Sequence, residues 1–172
     1  MTRLSLAVGM LAVCGGVLLW ADWPMAALPD GVRADLVVVR KGERELSLYR
    51  GSAFIRSYRI SLGRHPEGAK SRQGDGRTPE GEYRLDYRNL NSGFHRALHV
   101  SYPNAKDLAA ARSRGVDSGG MVMIHGIKNH LGWVGRAHRW IDWTDGCIAV
   151  TDAEIEEIVR VVPDGTVVRI EP

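Results

Sequence analysis

The stretch Trp143-Thr144-Asp145-Gly146-Cys147-Ile148 stands directly before the clearest helix signal in the chain. Thr151 or Asp152 can cap a helix over 151–162, in which apolar residues recur at helical spacing. A Pro-Asp-Gly run at 163–165 ends that helix, and 166–170 has the composition of a closing strand. The sequence therefore predicts that the chain ends in a cysteine-bearing turn, a helix and a strand.

The residues upstream of this stretch have the pattern of β-strands. Six alternating or continuous apolar runs predict strands, and these runs are 35–40, 45–50, 53–60, 82–88, 95–102 and 121–124. The first three are separated by short polar turns and predict an antiparallel meander. Residues 107–114 predict a short alanine-rich helix, and the Gly- and Pro-containing run 63–81 predicts a loop. The predicted fold class is therefore mostly β with one or two short helices.

The composition is that of an ordinary globular domain. Of the 172 residues, 44% are hydrophobic and 25% are charged, which excludes a disordered or collagen-like chain. The net charge of +3 is far short of the strongly basic surface that nucleic-acid binding requires. We therefore predict no nucleic-acid partner.

The N-terminal segment indicates export. Arg3 precedes an uncharged apolar run over 4–20, which is typical of a secretory signal. Residues 1–22 are therefore either a cleaved signal peptide or an uncleaved signal anchor, and 23–34 reads as a linker. Either version places the domain 35–172 in the periplasm or cell envelope, with membrane contact only through 4–20.

The cysteine count makes one thiol stand out. There are two cysteines, Cys14 and Cys147, and the first lies in the export segment. The exported domain would then hold a single cysteine, which cannot form an internal disulfide. A lone thiol in an oxidising compartment is a liability. Cys147 is therefore either a reactive thiol or a small buried hydrophobic residue.

The neighbours of Cys147 favour nucleophilic chemistry. The positive end of the predicted helix is expected to lower the pKa of the thiol. Gly146 permits a tight backbone approach, and the amides of Gly146 and Cys147 could point at a developing oxyanion. A cysteine nucleophile also needs a base, and His125, at the end of an apolar strand, is a better candidate than His130 or His138. The alternative is that His125 is a structural histidine.

Several motifs stand in a fixed order along the chain. Ser-Leu-Gly at 61–63 comes first, and Thr-Pro-Glu-Gly-Glu-Tyr follows at 78–83. A His-Gly pair at 125–126 precedes the cysteine stretch 143–148 and the terminal helix and strand. Together these motifs resemble the YkuD-type L,D-transpeptidase family over roughly 35–172. The resemblance implies the β-sandwich or mixed-sheet fold of that family.

The resemblance also implies a reaction on peptidoglycan stem peptides. Cys147 would attack the carbonyl of the diaminopimelate–D-alanine bond, with His125 as the base and its other ring nitrogen held by the Gly126 carbonyl. D-alanine would leave, and the thioester would pass to water or to an amine acceptor, such as a second stem peptide, an amino acid or a wall-attached protein. Thr144 and Gly146 would support the cysteine and its oxyanion. No metal or organic cofactor is implied.

Two places depart from the family pattern. Ala149 and Val150 stand where many members have Arg or Asn, and Asp145 stands where many have His or Arg. Both changes remove positive or donor groups, which puts the contacts to the carboxylate of the donor peptide in doubt. Asp145 either attracts the amine of an acceptor or merely begins the helix region.

The gap between the histidine and the cysteine is long and aromatic. Residues 127–143 predict either a lid or glycan-contacting platform, or a local cluster that packs the loop down. The aromatic and basic residues of this segment are Trp133, Trp140, Trp143, Arg136 and Arg139. Asp145, Trp133, Arg139 and Trp143 are the candidate substrate-binding residues.

Three other functions remain open from the sequence. A metal-dependent peptidase could use His95 and His99, but there is no His-Glu-x-x-His motif and the pair falls on a predicted strand. A non-catalytic wall-binding module would need an inert Cys147. A hydrolytic member of the same family, either an L,D-carboxypeptidase or an amidase that releases wall-attached protein, would use the same cysteine and histidine.

Overall fold

The structure is a computed structural model that describes residues 26–172. The predicted export segment 1–22 and the first part of the predicted linker lie outside the described residues. Within the described part of the chain, no helix is long and apolar enough to cross a membrane.

Eight strands form one curled sheet, and three short helical segments lie between them. The strands are β1 (Leu36–Arg40), β2 (Glu45–Arg50), β3 (Ala53–Arg59), β4 (Gly81–Ser92), β5 (His95–Val100), β6 (Met123–His125), β7 (Ile148–Ala149) and β8 (Thr166–Glu171). The helical segments are α1 (Ala105–Ser113), the 3-10 segment (Gly132–Trp140) and α2 (Asp152–Val161). The strand order in the sheet is β3-β2-β1-β8-β4-β5-β6-β7.

The C-terminal strand joins the two halves of the sheet. Strands β1, β2 and β3 form the predicted antiparallel meander. β8 lies between β1 and β4, parallel to the first and antiparallel to the second. Its side chains alternate between buried and less buried, as expected of a strand with one face on the core. The predicted fold class, mostly β with short helices, is confirmed, although there are three helical segments rather than one or two.

Helix α2 is fixed at both its cap and its apolar face. Thr151 accepts a hydrogen bond from the Glu154 amide, and the Glu154 carboxylate accepts one from the Thr151 amide, which is a capping box. Ile155, Ile158 and Val161 of the helix are wholly buried in the core. The helix therefore packs as the sequence predicts, directly after the cysteine turn and β7.

Several boundaries differ from the prediction for local reasons. β4 continues to Ser92, well past the predicted end at 88. α1 begins earlier than predicted because Asn104 caps it through a capping box. β6 begins at Met123 because Met121 has a φ of 54°, outside the strand region. The 3-10 segment was not predicted, and it is broken at Gly135, which has a φ of 48°.

Candidate active site

Strands β6 and β7 bring the predicted histidine and cysteine to one face of the sheet. The two strands are parallel, with Ile124 beside Ile148 and His125 beside Ala149. Because side chains alternate along a strand, Cys147 shares the face of Ala149 and therefore that of His125. Strand spacing and residue rise put the two Cα atoms about 8 Å apart. The imidazole and the thiol can therefore meet across adjacent strands.

The cysteine turn is also held from its other side by the Ser-Leu-Gly segment. Ser61 bridges to Ala149, and Gly63 bridges to Thr144. The Ala149 amide donates to the Ser61 carbonyl at 2.8 Å, and the Thr144 amide donates to the Leu62 carbonyl at 3.1 Å. The turn is thus clamped between β6 and residues 61–63, two of the motifs that the sequence analysis selected.

Gly146 is required where it stands. Its φ is +122°, and a side chain there would place Cβ only 2.4 Å from the carbonyl oxygen of Arg77. The hydroxyl of Thr144 donates to the Cys147 carbonyl at 2.8 Å and accepts from the Gly146 amide at 3.1 Å. The amide of Gly146, one of the two predicted oxyanion donors, is therefore already hydrogen-bonded within the turn. The glycine and the threonine instead shape the turn.

The thiol of Cys147 is partly exposed and protonated at rest. Burial is the largest effect on its pKa and raises it, and the Asp145 carboxylate raises it further. A hydrogen bond from the Met123 amide and the charge of the Lys70 ammonium act in the opposite direction. The sulfur also lies 3.7 Å from the Met121 carbonyl, to which the thiol donates. The prediction of a lowered pKa is therefore wrong. Helix α2 begins only at 152, beyond β7, so its positive end is not adjacent to the sulfur.

His125 is held in one orientation and one tautomer. Its Nδ1 lies 2.6 Å from the Gly126 carbonyl oxygen, the contact that the sequence analysis expected. A carbonyl only accepts, so the proton is on Nδ1 and Nε2 carries the basic lone pair. The ring is 4% exposed, and burial lowers its pKa despite the hydrogen bond to Gly126, which raises it. His125 is thus a neutral base at ordinary pH.

An aromatic cluster surrounds this histidine. The ring of Phe94 lies 4.6 Å from that of His125, and the ring of Trp143 lies 5.7 Å from it. Phe94 and Trp143 also stack on each other at 6.0 Å. Of the aromatic residues in 127–143, Trp143 therefore packs against the site. Phe94 was not singled out from the sequence, because it stands in a turn far from the motifs.

His138, which the sequence ranks below His125 as a base, is buried near this cluster. Its Nδ1 lies 3.4 Å from Nε1 of Trp143 and 3.2 Å from the Ser61 hydroxyl. Burial lowers its pKa to about 4. Its Nε2 is buried and has no hydrogen-bond partner in the described part of the chain. His130, by contrast, is exposed.

A buried ion pair lies on the other side of the cysteine turn. The Lys70 ammonium is 3.0 Å from the Asp75 carboxylate, and both side chains are almost fully buried. Burial alone would raise the pKa of Asp75, but hydrogen bonds from backbone amides and from Lys70 lower it to about 2. The sequence did not reveal Lys70. The Gly-Asp-Gly run at 74–76 is a turn signal in which the aspartate binds nearby amides, and it could have pointed to Asp75.

Three of the predicted substrate-binding residues are either exposed or engaged in ion pairs. Trp133 is 63% exposed on the 3-10 segment. Arg139 pairs with the buried Glu154 in the first turn of α2, so its charge is used within the fold. Asp145 is exposed and pairs with Arg64. Of the four candidates, Trp143 contacts His125.

The histidines of the metal-peptidase alternative bind separate carboxylates. His95 pairs with Glu156, and His99 pairs with Asp86, each within hydrogen-bond distance. Within residues 26–172 there is no group of three or more His, Cys, Asp or Glu side chains that could hold a metal ion. These contacts give no support to a metal centre.

The family is established by comparison with known proteins. The family model YkuD, the L,D-transpeptidase catalytic domain, matches residues 34–170, so the chain belongs to this family. The protein named "Putative L,D-transpeptidase YafK", from Escherichia coli strain K12, is 32% identical over 132 residues, which are 73% of this chain and 46% of that protein. The chain thus spans about half the length of this relative.

Solved structures share the fold. The helical cell shape determining protein Pgp2 from Campylobacter jejuni is 24% identical, with a TM-score of 0.62 over 91% of this chain and 54% of that one. Bd1075 from Bdellovibrio bacteriovorus is 22% identical, with a TM-score of 0.57 over 87% of this chain and 52% of that one. The curled sheet and its helices are therefore those of known proteins.

Proposed function

We propose that this protein is a cysteine-dependent L,D-transpeptidase that acts on peptidoglycan stem peptides. Cys147 is the nucleophile and His125 is the base. Membership of the L,D-transpeptidase family supports the class of reaction. We place the protein in the periplasm or cell envelope, in cell-wall biogenesis and the control of cell shape. The structural neighbour Pgp2 is described as determining helical cell shape, which supports the last point.

One observation carries the proposal: a buried, neutral histidine with a fixed tautomer shares a sheet face with a partly exposed thiol. The Gly126 carbonyl holds Nδ1–H of His125, which leaves Nε2 free to accept a proton. Nε2 of His138 is also unpartnered, but that atom is fully buried, whereas Nε2 of His125 is not among the fully buried unpartnered atoms of residues 26–172. Within residues 26–172, no hydrogen bond from the protein reaches Nε2 of His125.

The pKa shifts indicate a neutral pair rather than a thiolate–imidazolium pair. The pKa of Cys147 is raised and that of His125 is lowered, so both groups are uncharged at neutral pH. The thiol proton would pass to Nε2 of His125 as the sulfur attacks the carbonyl carbon of the diaminopimelate–D-alanine bond. The amide of Cys147 would stabilise the oxyanion.

The second half of the reaction restores the enzyme. His125 would return the proton to the nitrogen of D-alanine as the carbon–nitrogen bond breaks, which leaves a Cys147 thioester. An amine acceptor would then attack the thioester carbonyl, and His125 would take its proton. As the carbon–sulfur bond breaks, His125 would pass that proton to the sulfur, which regenerates the Cys147 thiol. With water in place of the amine, the same two residues would perform hydrolysis. The hydrolytic alternative, an L,D-carboxypeptidase or an amidase, therefore uses the same site.

The decisive experiment incubates the purified protein with defined tetrapeptide muropeptides, with and without an added amine acceptor. Mass spectrometry then separates the exchanged product, the hydrolysed tripeptide and unreacted substrate. We expect loss of D-alanine with wild type and none with Cys147→Ala. A non-catalytic wall-binding module would instead bind the substrate unchanged, and equal turnover by both proteins would remove Cys147 as the nucleophile.

The other two candidate histidines, His130 and His138, test the choice of base. His125→Ala should reduce turnover by about 10²–10⁴-fold, the usual effect of removing a general base. His130→Ala should leave it unchanged, because His130 is exposed and lies outside the site. A larger loss with His130→Ala or His138→Ala than with His125→Ala would show that the wrong base was chosen.

A further inference from the structure

An open cleft with several arginines lies beside the cysteine turn. Its volume is about 620 Å³, and the loop between residues 64 and 77 forms it. Two contacts join it to the turn: Arg64 pairs with Asp145, and the Arg77 carbonyl packs against Gly146. The polar side chains that line it include Arg64, His65, Glu67, Arg72, Asp75 and Arg77.

The charges in this cleft do not cancel. Asp75 is used by Lys70 and by backbone amides, and Asp145 lies opposite Arg64. Among the described residues, no carboxylate forms an ion pair with Arg72 or Arg77. Glu67 is the remaining acidic residue of the lining. Arg72 and Arg77 therefore share the cleft with one unpaired carboxylate, which leaves an excess positive charge in it.

The loop that carries these arginines is held in shape. The Asp75 carboxylate accepts hydrogen bonds from the amides of Ser71, Arg72 and Arg77 at 2.7, 3.0 and 3.1 Å. Lys70 adds the buried ion pair to the same carboxylate. The backbone beneath both arginines is thus fixed before any ligand arrives, which lowers the entropy lost on binding.

The residues that follow the cysteine motif offer no group that binds an anion. Positions 149 and 150, after the aliphatic residue that follows the cysteine, hold alanine and valine, and both are buried. Neither can contact an anionic group. The nearby arginines come instead from the loop 64–77, on the other side of the turn. Guanidinium groups bind carboxylates through paired, charge-assisted hydrogen bonds.

We propose that Arg72 and Arg77 form a carboxylate-binding subsite beside Cys147. The proposal rests on the proposed function, because it takes the stem peptide as the ligand. That peptide offers two carboxylates near the scissile bond: the terminal carboxylate of D-alanine and the second carboxylate of diaminopimelate. The subsite binds one of them and so orients the carbonyl towards the sulfur.

The test measures binding without turnover. Calorimetry on the Cys147→Ala protein compares the free tetrapeptide, its C-terminal amide, and the peptide amidated on diaminopimelate. We expect one of the two amides to bind about 10- to 100-fold more weakly than the free acid, the range for loss of a hydrogen bond to a charged group. The amide that binds weakly identifies the carboxylate. Equal affinity for all three peptides would overturn the proposal.

Variants of the two arginines complete the test. Arg72→Gln and Arg77→Gln, each in the Cys147→Ala protein, should bind the free acid about 10- to 100-fold more weakly and lose the preference over the amide. Arg72→Lys should recover part of the affinity, which separates charge from folding. Arg50→Gln is the matched control, since Arg50 is exposed and is not part of the lining. Unchanged affinity in both glutamine variants would contradict the subsite.

The outcome is distinguishable from failure of the proposed function. If wild type releases D-alanine in a Cys147-dependent way but binding ignores the carboxylate and the arginines, the subsite is wrong and the enzyme assignment stands. If binding follows the carboxylate and the arginines but wild type turns over no stem peptide, the subsite stands and the enzyme assignment is wrong.

Discussion

The Lys70 ammonium and the Asp75 carboxylate form an ion pair at 3.0 Å that is almost wholly buried beside the cysteine turn. A Cβ on Gly146 would lie 3.8 Å from Nζ of Lys70, so the ammonium reaches the residue next to Cys147. A nearby positive charge favours the thiolate, and the Lys70 ammonium opposes the rise in the pKa of Cys147 in this way. The pair therefore links the loop of the arginine cleft to the acidity of the proposed nucleophile.

Lys70→Met should raise the pKa of the Cys147 thiol further, because the positive charge that opposes the effect of burial is removed. The measurement is the rate of alkylation by iodoacetamide as a function of pH. The midpoint should move to higher pH relative to wild type. Lys128→Met, at an exposed position, is the control and should leave the profile unchanged. An unchanged midpoint in Lys70→Met, with the fold intact by circular dichroism, would show that Lys70 does not act on the thiol.

The neutral resting pair predicts a separation of two reactions. In His125→Ala, muropeptide turnover should fall strongly because the proton acceptor is missing. Alkylation at a pH above the thiol pKa should change by only a small factor, since the thiolate then forms without a base. Rates of both reactions, measured on the same samples, check this. Equal loss of both would indicate that His125 maintains the shape of the site rather than accepting a proton.

Stability should depend on pH through His138. Its pKa is about 4 in the folded protein against an ordinary value of 6.5, so the unfolded chain binds the proton more readily. The full stability is present above about pH 6.5, and it declines as the pH falls towards 4, by up to about 3 kcal/mol. Urea unfolding at several pH values should show a shallower decline in His138→Gln than in wild type. His130→Asn is the control and should decline as wild type does. If the stability of His138→Gln declines as steeply as that of wild type, His138 is not the cause of the pH dependence.

Gly146→Ala should damage the turn by a clash and not only by backbone strain. The added Cβ would meet the Arg77 carbonyl at 2.4 Å, and neither backbone can move without shifting Cys147. Gly51→Ala is the matched control, because Gly51 also has a positive φ but has open space around it. Strain alone costs about 1–3 kcal/mol. We expect Gly146→Ala to lower the free energy of unfolding more than Gly51→Ala does, and to lower turnover as well. A similar loss of unfolding free energy in the two variants would mean that the turn can relax.

The tryptophans of residues 127–143 should behave differently from one another. Trp143→Ala removes a ring that packs on Phe94 and His125, so it should lower both stability and turnover. Trp133→Ala changes an exposed ring and should alter stability by less than about 0.5 kcal/mol. If the segment is a platform for glycan, Trp133→Ala should still reduce muropeptide turnover while iodoacetamide alkylation stays the same. If Trp133→Ala changes neither reaction, Trp133 does not take part in a platform for glycan.

The sequence predicted the elements whose signals are local. The capped helix after the cysteine, the meander and the closing strand each follow from apolar periodicity and turn residues, and the structure contains all three. The His-Gly and Gly-Cys motifs led to residues that adjacent strands place on one face. These features depend on neighbours in sequence, which is why they could be predicted.

The features that the sequence did not reveal depend on distant contacts. His138 has polar sequence neighbours, and only packing against Trp143 and the 61–63 segment buries it. The raised pKa of Cys147 reflects burial and the position of β7, neither of which follows from the spacing of the motif. Lys70 lies in a loop without periodicity. Its relation to the cysteine exists only in the folded chain.

The pairing of residues 61–63 with the cysteine turn determines at what stage of folding the environment of the Cys147 thiol is complete. Residues 61–63 pair with residues 144 and 149, so the first half of the chain must meet its last part before the turn is fixed. Contacts between such distant parts of a chain form late in folding. A nascent or unfolded chain therefore carries an ordinary thiol, and the proposed acylation would require the completed domain. If the proposed function holds, activity would also report whether residues 61–63 have paired with the cysteine turn.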